Sequence, residues 1–539
     1  MKFAWIRLLL PLQDFNSLQH PSTETNSDPS LAMASTTTTT TNGATAANHA
    51  AATNVSSRDH VVIFPFMAKS HTLPLLHFAT ALTAHHKTLR VTVLTTPANR
   101  AFAAGRLPPS VSLVELPFPS LPPLPAGVES TDALPCPSLY PTFLRATALL
   151  RAPFADYLAS LPSPPLALVS DFFLGFTRAA AADAGVRRVV FHGMSCFSMA
   201  VCKALIVNPA AAAAAAGGVE PGAPFRVPGM PEHVGITADE VPDALVKFAD
   251  AEDPVTRFLV DDVGFSDVLS WGVLVNSFAA LDESYVAPLQ SFYQVPGARA
   301  WLVGPLFLAA GDTSELEEDE HDPEGCLAWL DDKAAQPGSV VYVSFGTQAH
   351  VTDAQLDEIA HGLVQSEHRF LWAVRSDTWT PPAKVGPNGR VVRGWVPQRR
   401  VLAHRAVGGF VSHCGWNSVM ECLAAGKPIL AWPMIAEQHL NARHVVNILG
   451  AGVRIDTKPG GMAAAGDVVG RAEVEEKVRE LMDAEGEAGR KMRERAVWAQ
   501  REAMSAVGEG GASRVALREL VDELRGPTVR SSFDEGKIM

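Results

Sequence analysis

Residues 408–433 read "GGFVSHCGWNSVMECLAAGKPILAWP": a strand, a tight turn, a helix and a second strand. "GGFVSHC" and "PILAWP" are continuous apolar runs of strand length, and residues 417–425 between them carry apolar side chains at helical spacing. Strands without polar alternation, joined through helices, imply a parallel sheet covered on both faces. Gly415 is expected to make the turn, so Asn417 and Ser418 fall at the start of the helix. Polar side chains there fit two readings. They can cap the helix, or they can line a phosphate site where free N–H groups and the positive dipole end attract anions. On these residues alone the two readings stand level.

The same alternation extends in both directions. From His60 come "HVVIFPF", "RVTVLTTP", "VSLVELPFP", "LALVSDFF", "RRVVFHG", "GVLVNSF" and "AWLVGPL", with helices expected over 73–86, 144–161 and 175–184. The acidic, Gly- and Pro-punctuated stretch 308–325 reads as an exposed linker, with an acidic metal-binding loop as the other possibility. The pattern then restarts with "SVVYVSFG", "FLWAVR", "VVRGWVP", "GGFVSHC", "PILAWP" and "GVRI". Helices are expected over 353–364, 417–425, 438–449, a long 472–506 and 513–525. The expected fold class is therefore α/β, with two doubly wound halves facing across a cleft. Ligands in such sheets sit at the carboxyl ends of the strands. The expected division is a disordered extension 1–57, a first domain 58–307, the linker 308–325 and a second domain 326–507. A helix in 508–527, with a possible return to the first domain, and a tail 528–539 complete it.

At 539 residues the chain is long enough for two cores. Its formal charge of −13 argues against nucleic acid or an anionic membrane surface as the main partner. Six sparse cysteines in mostly apolar contexts suggest reduced thiols and a cytoplasmic location. "FAWIRLLLPL" near the start is short, interrupted by Arg7 and followed by no clear cleavage site, which reads against a signal peptide or anchor. The Thr/Ala-rich region around "STTTTTTNGATAANHAAAT" cannot bury enough surface to order itself, and Met33 is an alternative start. "NPAAAAAAAGGVEPG" reads as a surface insertion.

Further polar groups gather at the strand ends of the second half. Trp395 offers a flat face to a base, although a lone Trp is more often core. Glu421 lies one helical turn beyond Asn417, where a carboxylate suits sugar hydroxyls better than phosphate. Glu437 and Gln438 pair an acceptor with a donor, as vicinal hydroxyls require, or are simply a helix-start Glu and an exposed Gln. In the first half, His71 follows the first strand, and Asp171 ends "LALVSD". An imidazole near pKa 6.5 suits general-base work, though one His among seventeen is more often structural. His77 reads as a core or helix-face residue. His404, His413, Cys414 and Cys422 lack the short Cys-x-x-Cys spacing of zinc sites.

The 44 positions from Trp395 to Gln438, with "HCGWNS", the Glu four places after Asn417 and the closing "EQ", resemble the signature box of the plant family 1 UDP-sugar glycosyltransferases. The wider resemblance runs from about His60 to Arg525 and includes "VVYVSFGTQ", "CLAWLDD" and "LVSDFF". It implies the GT-B fold of two facing Rossmann-like domains and transfer of a sugar from a UDP-sugar to a small molecule. It assigns uracil stacking to Trp395, base contacts to Val396 and Gln398, and the diphosphate to His413, Asn417 and Ser418 with help from Thr347. Ribose falls to Glu421, and the sugar to Trp416, Glu437 and Gln438. Gln438 and the absence of Arg at 416 favour UDP-glucose as co-substrate. His71 becomes the general base and Asp171 its partner in an inverting displacement that needs no cofactor and no metal.

Two positions depart from the family pattern. Ser70 stands where most relatives have Gly. Gly193 stands near a position where several carry a sugar-contacting Ser or Thr, a role that Ser195 could take over. The expected acceptor is a hydrophobic hydroxylated molecule, a flavonoid, another phenolic or a terpenoid. Its pocket would come from the loop after His71 and from residues around 135–149 and 194–204. No membrane span and a monomeric state are expected. The rival readings are a UDP-sugar-binding protein without transferase activity and a structural or interaction module, which leaves the 44-residue box unexplained.

Overall fold

The computed structural model describes residues 59–208, 222–246, 253–311, 322–347, 351–376, 378–382, 386, 388–455 and 468–526. The N-terminal extension, the Ala-rich insertion, the acidic core of the linker and the tail from 527 lie outside the described residues.

Two parallel sheets form the scaffold. The first comprises β1 (His60–Phe64), β2 (Arg90–Thr95), β3 (Val111–Glu115), β4 (Ala167–Asp171) and β5 (Arg187–His192). A small antiparallel pair follows, β6 (Phe225–Arg226) and β7 (Gly235–Ile236), and then β8 (Gly272–Val275) and β9 (Arg299–Leu302) complete the sheet. Its order is β3-β2-β1-β4-β5-β8-β9. The second sheet contains β10 (Val340–Ser344), β11 (Arg369–Ala373), β12 (Gly389–Val392), β13 (Val407–Ser412), β14 (Ile429–Ala431) and β15 (Gly452–Arg454). Its order is β12-β11-β10-β13-β14-β15. In both sheets the strand order reverses direction beside the first strand, β1 or β10. A crevice opens at such a switch point, at the carboxyl ends of the strands. β1, β4, β10 and β14 are buried along their whole length, as unalternated apolar runs require.

Several helices differ from their sequence patterns. The long helix expected over 472–506 is two, Arg471–Met482 and Glu487–Val507. Asp483 breaks it by taking the N–H groups of Glu485 and Gly486 on Oδ1, at 3.0 and 2.9 Å. The segment 144–161 likewise divides into Tyr140–Ala148 and Arg151–Ser160. The segment 438–449 runs as an α-helix over Gln438–Arg443 and widens to a π-helix over His444–Leu449. The stretch read as an exposed linker begins inside a short helix, Leu306–Ala309, with Leu306 buried. At its other end the Asp322 carboxylate accepts the N–H groups of Cys326 and Leu327, both at 2.8 Å, and so starts the helix Cys326–Asp331.

The two halves are strapped together by the end of the chain. Ala496, Ala499 and Ala503 of Glu487–Val507 share a core with Val419, Met420 and Leu423 of the second half. The next helix, Ala512–Arg525, crosses to the first sheet, where Leu517, Leu520, Val521 and Leu524 join Val61, Val91 and Val189. Arg187 Nη1 donates to the carbonyls of Glu523 and Leu524 at that helix's last turn, a favourable position for a cation at the negative dipole end. Among the described residues no helix is long and apolar enough to cross a membrane.

Candidate active site

A cavity of about 620 Å³ lies between the two sheets and is lined from both halves. His71, Thr347, Trp395, Val396, Gln398 and His413 line it. So do Trp416, Asn417, Ser418, Glu421, Glu437 and Gln438. Asp171 stands directly behind His71. Every sequence-predicted site residue is therefore brought to one place, but their individual geometries differ from what spacing suggests.

His71 lies in the first turn of the helix Lys69–His85, just after β1, and Asp171 is the last residue of β4, the neighbour of β1. His71 Nδ1 meets Asp171 Oδ2 at 2.8 Å, which leaves Nε2 for a substrate. The Asp171 side chain is fully buried, and its Oδ1 accepts the Phe173 N–H at 3.0 Å, so its orientation is fixed. The rings of Phe66 and Phe173 meet the imidazole edge-on, at 5.6 and 5.5 Å between centroids. Burial disfavours the charged imidazolium. The charge and hydrogen bond of Asp171, with Glu437 and Asp132 further off, outweigh it and raise the His71 pKa above its usual value. Asp132 also accepts the Lys69 N–H at the helix start, at 3.0 Å.

The opposite wall is the turn after β13. Gly415 stands at the turn as expected, with φ −58°, and the left-handed residue there is Cys414, with φ 62°. Gly415 is required for a different reason. A Cβ there would stand 2.5 Å from His413 Nε2, and one on Gly346 would stand 2.7 Å from the same atom, so two glycines hold the imidazole between them. Burial lowers the His413 pKa to about 4, which makes it a neutral hydrogen-bonding group. The helix Trp416–Ala424 starts at Gly415 with no side-chain cap, so neither Asn417 nor Ser418 caps it. Asn417 Nδ2 instead crosses the cleft and donates to the Ser70 carbonyl at 2.7 Å. The first turn of this helix therefore keeps its anion-attracting character and faces the residue next to His71. Gly415→Ala suits the backbone but displaces His413. Its melting midpoint is therefore expected to fall, as overpacking a buried side chain costs about 1–3 kcal/mol, and a thermal melt checks this.

Gln398 is a bridge. Its Nε2 donates to Ser418 Oγ and Glu421 Oε2 at 3.0 and 2.8 Å, and its Oε1 accepts from the Tyr342 hydroxyl at 3.2 Å. It fixes Ser418 and Glu421 in place, more than the base contact expected of it. Burial raises the Glu421 pKa, opposed by Gln398 and Arg399. The Trp416 indole does not point to a sugar. It is 2% exposed, donates to the Asn276 carbonyl of the first half at 2.8 Å and stacks on His444, so any contribution to the cavity comes from its backbone.

Gln438 is buried, not exposed, because its Oε1 accepts the N–H groups of Met434 and Ile435, both at 3.0 Å. Gln438 also lines the cavity. Ala436, just before, adopts φ 53°, the second non-glycine residue at the site in a left-handed conformation. Burial raises the Glu437 pKa, and Asn441 Nδ2 donates to Glu437 Oε1 at 3.1 Å.

Residues outside the sequence reading complete the site. Asn441 also donates to the Cys414 carbonyl at 3.0 Å and accepts from Ser198 Oγ of the first half at 2.7 Å, joining both donor-side turns to the other domain. Its position four residues after Glu437 was the available signal. His77 lines the cavity, with its pKa lowered to about 3 by burial and by Arg399 and Arg106. Ser195 does not stand in for a missing cavity hydroxyl at Gly193, since its Oγ is buried in the start of the helix Cys196–Val207 and bonded to Ser198. On the acceptor side the expected regions contribute Tyr140, Met194 and Met199, and an unforeseen one contributes Leu245, Leu259 and Val263. Among the described residues no three His, Cys, Asp or Glu side chains converge as metal ligands would. His404 faces Asp331, at 3.2 Å.

Residues 301–469 match the family model described as UDP-glucoronosyl and UDP-glucosyl transferase. UDP-glycosyltransferase 90A1 of Arabidopsis thaliana is 37% identical over 487 residues, covering 86% of this chain and 96% of its own. A flavonol 3-O-glucosyltransferase of the same plant, UGT89B1, is 36% identical over 415 residues, 74% of this chain and 84% of its own. The solved structure of Medicago truncatula UGT71G1 complexed with UDP-glucose superimposes with a TM-score of 0.70 at 25% identity, over 88% of this chain and all of that one.

Proposed function

The chain belongs to the plant family 1 UDP-glycosyltransferases, and on that premise we propose that it transfers glucose from UDP-glucose to a hydroxyl of a hydrophobic small molecule by a single inverting displacement. Membership carries the GT-B fold and sugar transfer from a UDP-sugar to a small-molecule acceptor. The donor, the mechanism and the acceptor class are the proposal.

The observation that carries it is the 2.7 Å bond between Asn417 Nδ2 and the Ser70 carbonyl. It places the uncapped helix start, where a leaving diphosphate would be held, one residue from the His71–Asp171 pair. In the proposed reaction His71 Nε2 takes the acceptor proton as the oxygen attacks C1 of the sugar. Asp171 stabilises the imidazolium that forms. UDP departs with its charge on the first-turn N–H groups, His413 and Ser418, and the reading assigns no metal to this step. Trp395 and Val396 would bound the base, Thr347 would approach the phosphates, and Glu421 would accept from ribose. Glu437 with the amide of Gln438 would take the sugar hydroxyls. The wall of Phe66, Phe172, Tyr140 and Met199 suits an aromatic acceptor such as a flavonoid or other phenolic, and UGT89B1 is named for such a substrate. We hold the chain to be a cytoplasmic monomer; six free thiols support the compartment.

Equal amounts of UDP-glucose, UDP-galactose and UDP-glucuronate with a panel of phenols, read by mass, test this. The expected product is predominantly glucoside. A galactoside or glucuronide in excess would overturn the donor. Thermal protection by UDP-glucose without any glycoside would favour a binding protein.

A further inference from the structure

The acceptor side of the cavity contains a buried ionic group that the transfer reaction does not use. Lys203, on the helix Cys196–Val207, donates to Asp267 Oδ2 at 2.5 Å, and the Tyr293 hydroxyl donates to Asp267 Oδ1 at 3.0 Å. His192, the last residue of β5, has Nε2 3.1 Å from Asp267 Oδ1 but off the line of a hydrogen bond. Its Nδ1 has no partner among the described residues. Lys203, His192 and Asp267 all line the cavity, and none is more than 9% exposed. Burial works against the Asp267 charge, yet the cationic groups around it hold its carboxyl far below the usual carboxylate range.

Charged groups in a wall otherwise made of Met194, Met199, Leu245 and Val263 are costly unless their hydrogen-bonding capacity is used. Asp267 is well supplied with donors. Lys203 is not: among the described residues it makes one hydrogen bond of three, whereas both His192 ring nitrogens are buried and its Nε2 already faces Asp267. The placement relative to the base is informative. The Phe172 ring stacks on His192 at 4.6 Å and 10°, and its centroid is 6.4 Å from that of His71. An aromatic acceptor lying along Phe172 would present its reacting hydroxyl to His71 and its far end to Lys203, which reaches His192 through Asp267.

We propose that Lys203 forms an acceptor subsite for a hydrogen-bond-accepting oxygen, a carbonyl or carboxylate, on the end of the acceptor remote from the glycosylated hydroxyl. This rests on the acceptor assignment above and narrows it. The enzyme then favours phenols that carry such an oxygen one aromatic span from the reacting hydroxyl. Lys203 acts there as a specificity residue, not as a catalyst.

Three matched phenols test it: 4-phenylphenol, its 4′-acetyl derivative and its 4′-carboxylate. Affinity in the presence of UDP, by calorimetry, and kcat/KM with UDP-glucose are both measured. One charge-assisted hydrogen bond predicts a preference of about tenfold or more for an oxygen-bearing phenol over 4-phenylphenol. The ketone and acid arms separate a neutral from an anionic ligand. In Lys203→Met this preference collapses while the KM for UDP-glucose is unchanged, and Lys203→Arg restores part of it. Lys203→Met/Asp267→Asn, which removes both charges together, is expected to lose the preference equally and guards against misfolding from an unpaired carboxylate. Equal affinity of the unaltered protein for all three phenols, or an equal loss on all three in Lys203→Met, would overturn the subsite. Selective binding without glycoside formation would keep the subsite and sink the transfer reaction.

Discussion

Replacing His71 by Ala is expected to lower kcat by about 10²–10⁴-fold, the usual contribution of a positioned general base. The KM for UDP-glucose should stay nearly unchanged. His71 is held on one side by Asp171 at 2.8 Å and is walled by Phe66 and Phe173, so only its Nε2 can serve a substrate hydroxyl. The donor groups, from Trp395 to Gln438, stand on the other half and do not depend on the imidazole. Folding should survive, because Ala is the best helix former for position 71 and the Asp171 carboxylate keeps its bond from the Phe173 N–H. Thermal protection by UDP-glucose in the variant checks the fold and steady-state kinetics checks the rate. A variant that keeps kcat within about twofold of the unaltered enzyme has no general base at position 71, since that role is worth far more.

Asp171→Asn should lose a comparable amount, about 10²–10⁴-fold, and should also move the pH profile. His71 works as a base only when neutral. In the unaltered enzyme Asp171 raises its pKa, so the acid limb of kcat/KM lies at higher pH than that of an ordinary histidine. Without the carboxylate the burial of the imidazole dominates, the pKa falls, and the limb moves to lower pH while the plateau drops. The two effects separate orientation from charge. A plateau that falls with an unmoved limb would show that Asp171 orients the ring without tuning it. A limb moving to higher pH would contradict the assignment.

The strands were legible because strands buried on both faces read as nearly continuous apolar runs, and β1, β4, β10 and β14 are buried throughout with polar residues only at their ends. Helix interruptions were less so. The break at Asp483 depends on a side chain taking two backbone N–H groups, a choice that an amphipathic pattern does not record. Apart from Thr347, the residues read as the donor side lie within 44 consecutive positions, and they were identifiable together. Their individual tasks were not. Trp416 is claimed by Asn276, 140 residues away, and Gln398 is claimed by Tyr342, Ser418 and Glu421. Gly415 was legible as a turn residue, but its role of leaving room for His413, a contact between side chain and missing Cβ, was not. The acceptor wall drew on residues scattered from Tyr140 to Val263, where no local spacing marks membership. The Lys203–Asp267 pair spans 64 residues and could be seen only once folded.

The central claim is that the hydroxyl activated by His71 attacks C1 of the sugar in one step, opposite the departing UDP. Proton NMR of the product formed from α-linked UDP-glucose and a phenol in the panel tests it directly, through the anomeric coupling. A single displacement predicts the β-glucoside as the sole initial product. An α-glucoside would contradict it, because retention requires a second displacement for which the account provides no nucleophile.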